Sequence, residues 1–144
     1  MKLQKLFFII MIISLFVVSG CMSEMENEEQ KIKVQKRIGN ENKYEDFKEI
    51  TNDEDVQKVK KILNEANWKN EKAEMVSPPD YQFIFQFKNS EIEAKAVLYR
   101  LWMNPNKEKA EIIEGTDRYV QLNKEDSASL FEIFTGEELS PLNQ

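Results

Sequence analysis

One cysteine, Cys21, and no histidine are all that the 144 residues offer among the commonest nucleophiles and metal ligands. Those counts exclude zinc sites built on His and Cys, Ser-His-Asp triads, Cys-His dyads and disulfide frameworks. Carboxylate chemistry remains. Glu91 and Glu93 stand two apart on an expected strand, which puts them about 7 Å from each other on one face, a separation resembling that of glycosidase carboxylates. A general acid, however, needs burial to raise its pKa. Lys88 and Lys95 flank this pair, so it reads as a charge-paired wet surface rather than a catalytic dyad. Asp53-Glu54-Asp55 lacks the alternating oxygens, central glycine and distal glutamate of a calcium loop and suits the first turn of a helix instead. No glycine-rich phosphate loop or G-x-S-x-G elbow occurs. No catalytic residue and no metal ligand is therefore assigned, and the expectation is a protein that is not an enzyme.

Trp68, Tyr81, Tyr99, Trp102 and Tyr119 could line a recognition surface for a peptide, glycan or protein, although aromatics at strand spacing are more often core. Met75 and Met103 read as gap-fillers on the same logic. The charge balance narrows the partners further. Lys and Arg number 20 against 26 Asp and Glu, a net charge of −6. Nucleic-acid binding draws most of its affinity from basic residues releasing counterions, and no basic stripe interleaved with aromatics is present, so that class is rejected. At 32% charged and 41% hydrophobic the chain is not of disordered type.

Lys2 and Lys5 precede the apolar run Leu6 to Val18, broken only by Ser14. Thirteen helical residues rise about 20 Å, short of a hydrocarbon core of roughly 30 Å, so the run reads as a signal-peptide core rather than a transmembrane helix. Val18-Ser19-Gly20-Cys21 follows, and it resembles the lipobox of bacterial lipoproteins. In that class the small residues admit the signal peptidase, and the thiol takes a diacylglyceryl group. The resemblance implies cleavage after Gly20 and a covalent diacylglycerol on Cys21, with no other cofactor. Two acyl chains hold a protein stably where one anchors only marginally. The expected place is the outer face of the cytoplasmic membrane of a Gram-positive bacterium, a source also suggested by 17 lysines against three arginines. Loss of Lys2 and Lys5 with the leader leaves 18 basic and 26 acidic residues, a net charge of −8.

Residues 21–30 then form a lipidated cysteine and an acidic tether carrying Glu24, Glu26, Glu28 and Glu29, and 31–136 a single domain with a loose tail over 137–144. Lys31 to Ile38 alternates as a strand, and Tyr44 to Ile50 is a weaker one. Capping oxygens at Thr51-Asn52-Asp53, followed by Val56, Val59, Ile62, Leu63 and Ala66 at helical spacing, predict a helix over 53–66. Tyr81, Phe83, Phe85 and Phe87 alternate after Pro78-Pro79-Asp80. With Asn89-Ser90 as a two-residue hairpin loop, Phe87 faces Ile92, Phe85 faces Ala94, Phe83 faces Ala96 and Tyr81 faces Leu98. The apolar phase then changes, because Val97, Tyr99, Leu101 and Met103 share the opposite face. Either a bulge or burial on both faces accounts for this, or the row Tyr99, Leu101 and Met103 is an exposed docking surface. Further strands over 109–114 and 118–122 and a second helix between Asn123 and Gly136 complete the chain.

From Thr51 to Gly136 the order of features resembles that of the YhfM-like domain of small Bacillus-type lipoproteins. The likeness rests on the helix after Thr51-Asn52-Asp53, Trp68, Pro79-Asp80-Tyr81, Tyr99, Trp102 and the helix ending near Gly136. It implies an extracytoplasmic lipoprotein domain and brings no catalytic residues with it. The expected fold is α+β, an antiparallel sheet of meander and hairpins covered by one or two helices. The expected function is non-catalytic binding by a membrane-anchored accessory domain with an envelope protein or peptide as partner. An envelope hydrolase using only carboxylates, or a structural or regulatory accessory of an envelope complex, is the alternative.

Overall fold

The computed structural model describes residues 29–139, so Val18, Ser19, Gly20, Cys21 and the leader lie outside the described residues. Seven strands and two helices follow in the order β1 (Gln30–Arg37), β2 (Tyr44–Ile50), α1 (Asp53–Glu65), β3 (Lys69–Asn70), β4 (Tyr81–Phe87), β5 (Tyr99–Met103), β6 (Ala110–Glu114), β7 (Arg118–Gln121) and α2 (Lys124–Thr135). All strands join one antiparallel sheet in the order β2-β1-β4-β5-β6-β7-β3. β1 begins at Gln30, one residue inside the segment expected to be a tether.

Local chemistry sets the element ends. The Asn52 side chain accepts from the Glu54 N–H and starts α1, whose first turn carries Asp53, Glu54 and Asp55 where the helix dipole favours negative charge. Asn123 does the same for α2 by accepting from the Asp126 N–H. Gly136 ends that helix in the left-handed conformation, φ 77°, with its N–H donating to the Glu132 carbonyl. The Lys48 ammonium reaches across from β2 to the Ile133 carbonyl in the last turn.

One core unites sheet and helices. Ile32 and Val34 of β1, Phe83 of β4, Leu101 of β5, Ile112 of β6 and Val120 of β7 meet Val56, Val59 and Leu63 of α1 and Leu130 and Phe134 of α2. Phe83 stacks on Tyr99 at 4.9 Å and receives the Phe134 ring edge-on at the same distance. The buried Ser127 hydroxyl is satisfied on both sides, accepting from the Ala110 N–H and donating to the Asn123 carbonyl.

The expected fold class requires correction. The architecture is a mostly antiparallel sheet of seven strands with only two helices, not a sheet covered by a helical layer. Seven strands about 4.8 Å apart span roughly 29 Å, while helices of 12 and 13 residues are under about 20 Å long and about 10 Å thick. Two such helices cannot roof the sheet. On the opposite face the Trp102 indole N–H donates to the Ser77 carbonyl at 2.7 Å, and at the start of β4 the Asp80 carboxylate accepts from the Met103 N–H and pairs with Arg37. Only β4 to β7 form the expected meander, because β1 inserts between β2 and β4 as an interior strand.

The β4–β5 register also differs from expectation. Tyr81 faces Leu101 and Phe83 faces Tyr99, and residues 88–98 form no strand. The shift is three residues, and an odd shift exchanges the two faces of a strand. Tyr99, Leu101 and Met103 thereby join Tyr81 and Phe83 on the core side, which removes the phase conflict without a bulge in β5.

Candidate functional site

β4 is paired with β1 along its whole length, but β5 leaves it after Phe83. The chain between them, Lys88 to Leu98, swings away and leaves an open groove of about 1060 Å3. Phe85, Phe87 and Tyr99 form its floor, Lys60, Leu63 and Asn64 of α1 one wall, and the Ile92 to Val97 segment the other. The segment is shaped locally: the Asn89 side chain accepts from the Glu91 N–H, and the Asn89 carbonyl from the Ile92 N–H. This Asx-type turn starts a loop instead of a tight hairpin. Four lysines lie around the groove, Lys31, Lys60, Lys88 and Lys95, with Glu93; Lys31 pairs with Glu49, and Lys88 with Glu29 and Asp53.

A polar chain runs from the floor to the helix. The Tyr99 hydroxyl donates to Glu114 Oε1 at 3.1 Å, Glu114 Oε2 pairs with Arg118, and the Arg118 guanidinium lies 4.9 Å from the Trp68 ring centre. The Trp68 indole N–H closes the chain on the Leu63 carbonyl at 2.7 Å. Burial, reinforced by the Glu114 charge, pushes the Tyr99 phenol up to about 12. Burial and the hydrogen bond to Glu111 push Tyr119 to the same value. Both phenols stay protonated at neutral pH and act as donors, not as bases.

The residues singled out in the sequence are dispersed by the fold. Glu91 and Glu93 sit on the exposed loop rather than on a strand, so the expected ladder spacing does not arise. Leu101 is 2% exposed, and Tyr99 and Met103 pack partly buried against the same core, so the three form no exposed row, and of them only Tyr99 reaches the groove. Val97, expected beside them, is exposed instead, together with Leu98. Tyr81 and Trp102 are buried, and Trp68 is packed against the core. Among the described residues no group of three or more Asp, Glu, Cys or His is placed to hold a metal, and no helix is long and apolar enough to cross a membrane. The groove itself was not anticipated. Its trace in the sequence is the change of apolar phase at Val97-Leu98, which marks where pairing with β4 stops.

The fold has a solved counterpart. A thioesterase-like protein from Clostridium sporogenes superposes with a TM-score of 0.53 over 74% of this chain and 94% of its own, at 18% identity. At that identity the likeness establishes the fold alone. No curated protein matches the sequence. The family model described as YhfM protein matches residues 25–139, so that β1 to α2 all fall within it, and the chain belongs to the YhfM protein family.

Proposed function

We propose that this chain is a lipoprotein anchored through Cys21 at the outer face of the cytoplasmic membrane, and that its domain binds a ligand in the groove between β4, α1 and residues 88–98. The anchor rests on Val18-Ser19-Gly20-Cys21 after an apolar run too short to span a bilayer. The observation that carries the binding reading is the groove: an aromatic floor with two lysines, Lys60 and Lys95, that have no acidic partner within 4.0 Å among the described residues. Apolar concavities with a few placed polar groups are where ligands collect. Anilinonaphthalene sulfonate, an apolar anion, is the probe. It is expected to fluoresce on binding the native protein, and Ala94→Trp, which fills the groove from an exposed position, is expected to abolish the signal without lowering the melting temperature. Unchanged fluorescence in that variant would place the probe elsewhere and end the groove reading.

The fold shared with a protein named thioesterase-like favours a second reading, hydrolysis of an acyl ester or thioester. Glu114, hydrogen-bonded to Tyr99 on the groove floor, is then the carboxylate in question. Binding is preferred because both Glu114 oxygens are already engaged, one by Tyr99 and one by Arg118. Thiol release from an acyl thioester above background, lost in Glu114→Gln, would reverse that preference.

A further inference from the structure

The two sides of β4 are unequally used. Against β1 the ladder runs from Tyr81 to Phe87; against β5 it stops at Phe83. In an antiparallel ladder each residue turns its N–H and C=O to the same neighbour, and successive residues alternate. The Lys88 N–H donates to the Glu29 carbonyl on the β1 side, which sets the phase. Even-numbered residues of β4 therefore face β1, and odd-numbered ones face away from it. Tyr81 and Phe83 meet β5, whereas Phe85 and Phe87 direct their N–H and C=O groups into the groove. Among the described residues no backbone hydrogen bond joins them to residues 88–98.

An open strand edge is a template for an incoming strand. Its surroundings select by charge. Lys31 is paired with Glu49, and Lys88 with Glu29 and Asp53, but among the described residues neither Lys60 nor Lys95 has an acidic partner within 4.0 Å. We propose that the open half of β4 receives an extended acidic peptide as an added strand, with Phe85 and Phe87 making its main-chain hydrogen bonds and Lys60 and Lys95 meeting its carboxylates. The proposal rests on the groove being the binding site and names its occupant. The slot from Ile84 to Phe87 is about 13 Å long, so the added strand is four or five residues. Alternate side chains of that strand lie over Phe85 and Tyr99 toward Leu63.

The chain's own 95–98 segment does not close this slot, and the register explains why. Continuing the β4–β5 pairing would set Val97 opposite Phe85 and Lys95 opposite Phe87, on the core side. Lys95 would lose its hydration against apolar side chains, with no acidic partner to compensate. Val97 and Leu98 accordingly stay exposed, at 44% and 40%.

The test titrates the acetylated, amidated heptapeptide Glu-Glu-Val-Glu-Val-Glu-Glu, which carries glutamates on both faces of an extended strand, into the full chain held in neutral-lipid nanodiscs, followed by amide NMR and hydrogen exchange. Binding is expected to slow exchange at Phe85 and Phe87 at least ten-fold. Full N-methylation of the peptide, and separately the double variant Lys60→Glu with Lys95→Glu, should each weaken binding at least ten-fold. Amides of Phe85 and Phe87 already protected in the free chain would overturn the proposal, since the slot would then be closed by the chain itself. Equal binding of the methylated peptide would overturn strand addition while leaving the groove as the site. No response to either peptide, with anilinonaphthalene sulfonate still bound, would have the same meaning, and silence from all three probes would remove the groove reading as well.

Discussion

Tyr99 shows how one side chain can serve core and groove together. Its ring stacks on Phe83 and meets Phe85 edge-on, while its hydroxyl donates to Glu114. The phenol is raised from its ordinary 10.0 to about 12, by burial first and the Glu114 charge second. The sign follows from linkage: the folded state holds the proton more tightly, so the stabilisation is complete below pH 10 and is lost as pH rises from about 10 to about 12. Tyr119 adds to the same window. Melting temperature is therefore expected to fall across it, and Tyr99→Phe with Tyr119→Phe should flatten that fall. At neutral pH the double variant should lose about 1 kcal/mol for each hydrogen bond removed. A wild-type melt insensitive to pH between 10 and 12 would contradict this account.

At the scale of elements, the β4–β5 register decides which residues are core. Phe83, 1% exposed between Tyr99 and Phe134, should cost about 3 to 5 kcal/mol when cut to alanine, through lost burial and a cavity. Leu98, on the loop and facing solvent, should cost under about 1 kcal/mol. Denaturant melts of the two variants separate the registers. In the tight-hairpin register Leu98 pairs with Tyr81 in the core, and the two losses would be comparable. Alternation in Tyr81 to Phe87 was legible because side chains on a strand point to opposite faces in turn, and the same pattern identified Ile32 and Val34. Pairing was not legible, since Phe83 finds an apolar partner opposite either Ala96 or Tyr99, and local propensity does not choose between them.

For the whole molecule, the proposed anchor and the proposed binding groove are separable. Cys21 lies outside the described residues, far in sequence from the 88–98 loop. Cys21→Ser is expected to abolish fatty-acid labelling and release the protein from the membrane fraction, because a hydroxyl is a much poorer nucleophile than a thiolate. The variant should still bind anilinonaphthalene sulfonate. Labelling at wild-type level in the Ser variant would refute the anchor. Because Lys60 and Lys95 stand at the groove of a chain of net charge −6, the proposed capture of an acidic ligand is expected to depend on a local, salt-screened field rather than on overall charge.

By itself the sequence determined what depends on neighbours along the chain. Asn52 and Asn123 start helices because their side chains reach N–H groups two or three residues on, and Gly136 stops one because it adopts a positive φ without a Cβ clash. The absence of histidine excluded whole classes of chemistry by composition alone. Tertiary structure decided what depends on contacts distant in sequence: the insertion of β1 between β2 and β4, the three-residue shift that moved Leu101 into the core, and the groove left where β5 parts from β4. Such choices compare the burial of one whole strand face with another, and that energy exists only when residues 49 apart, such as Val34 and Phe83, lie side by side.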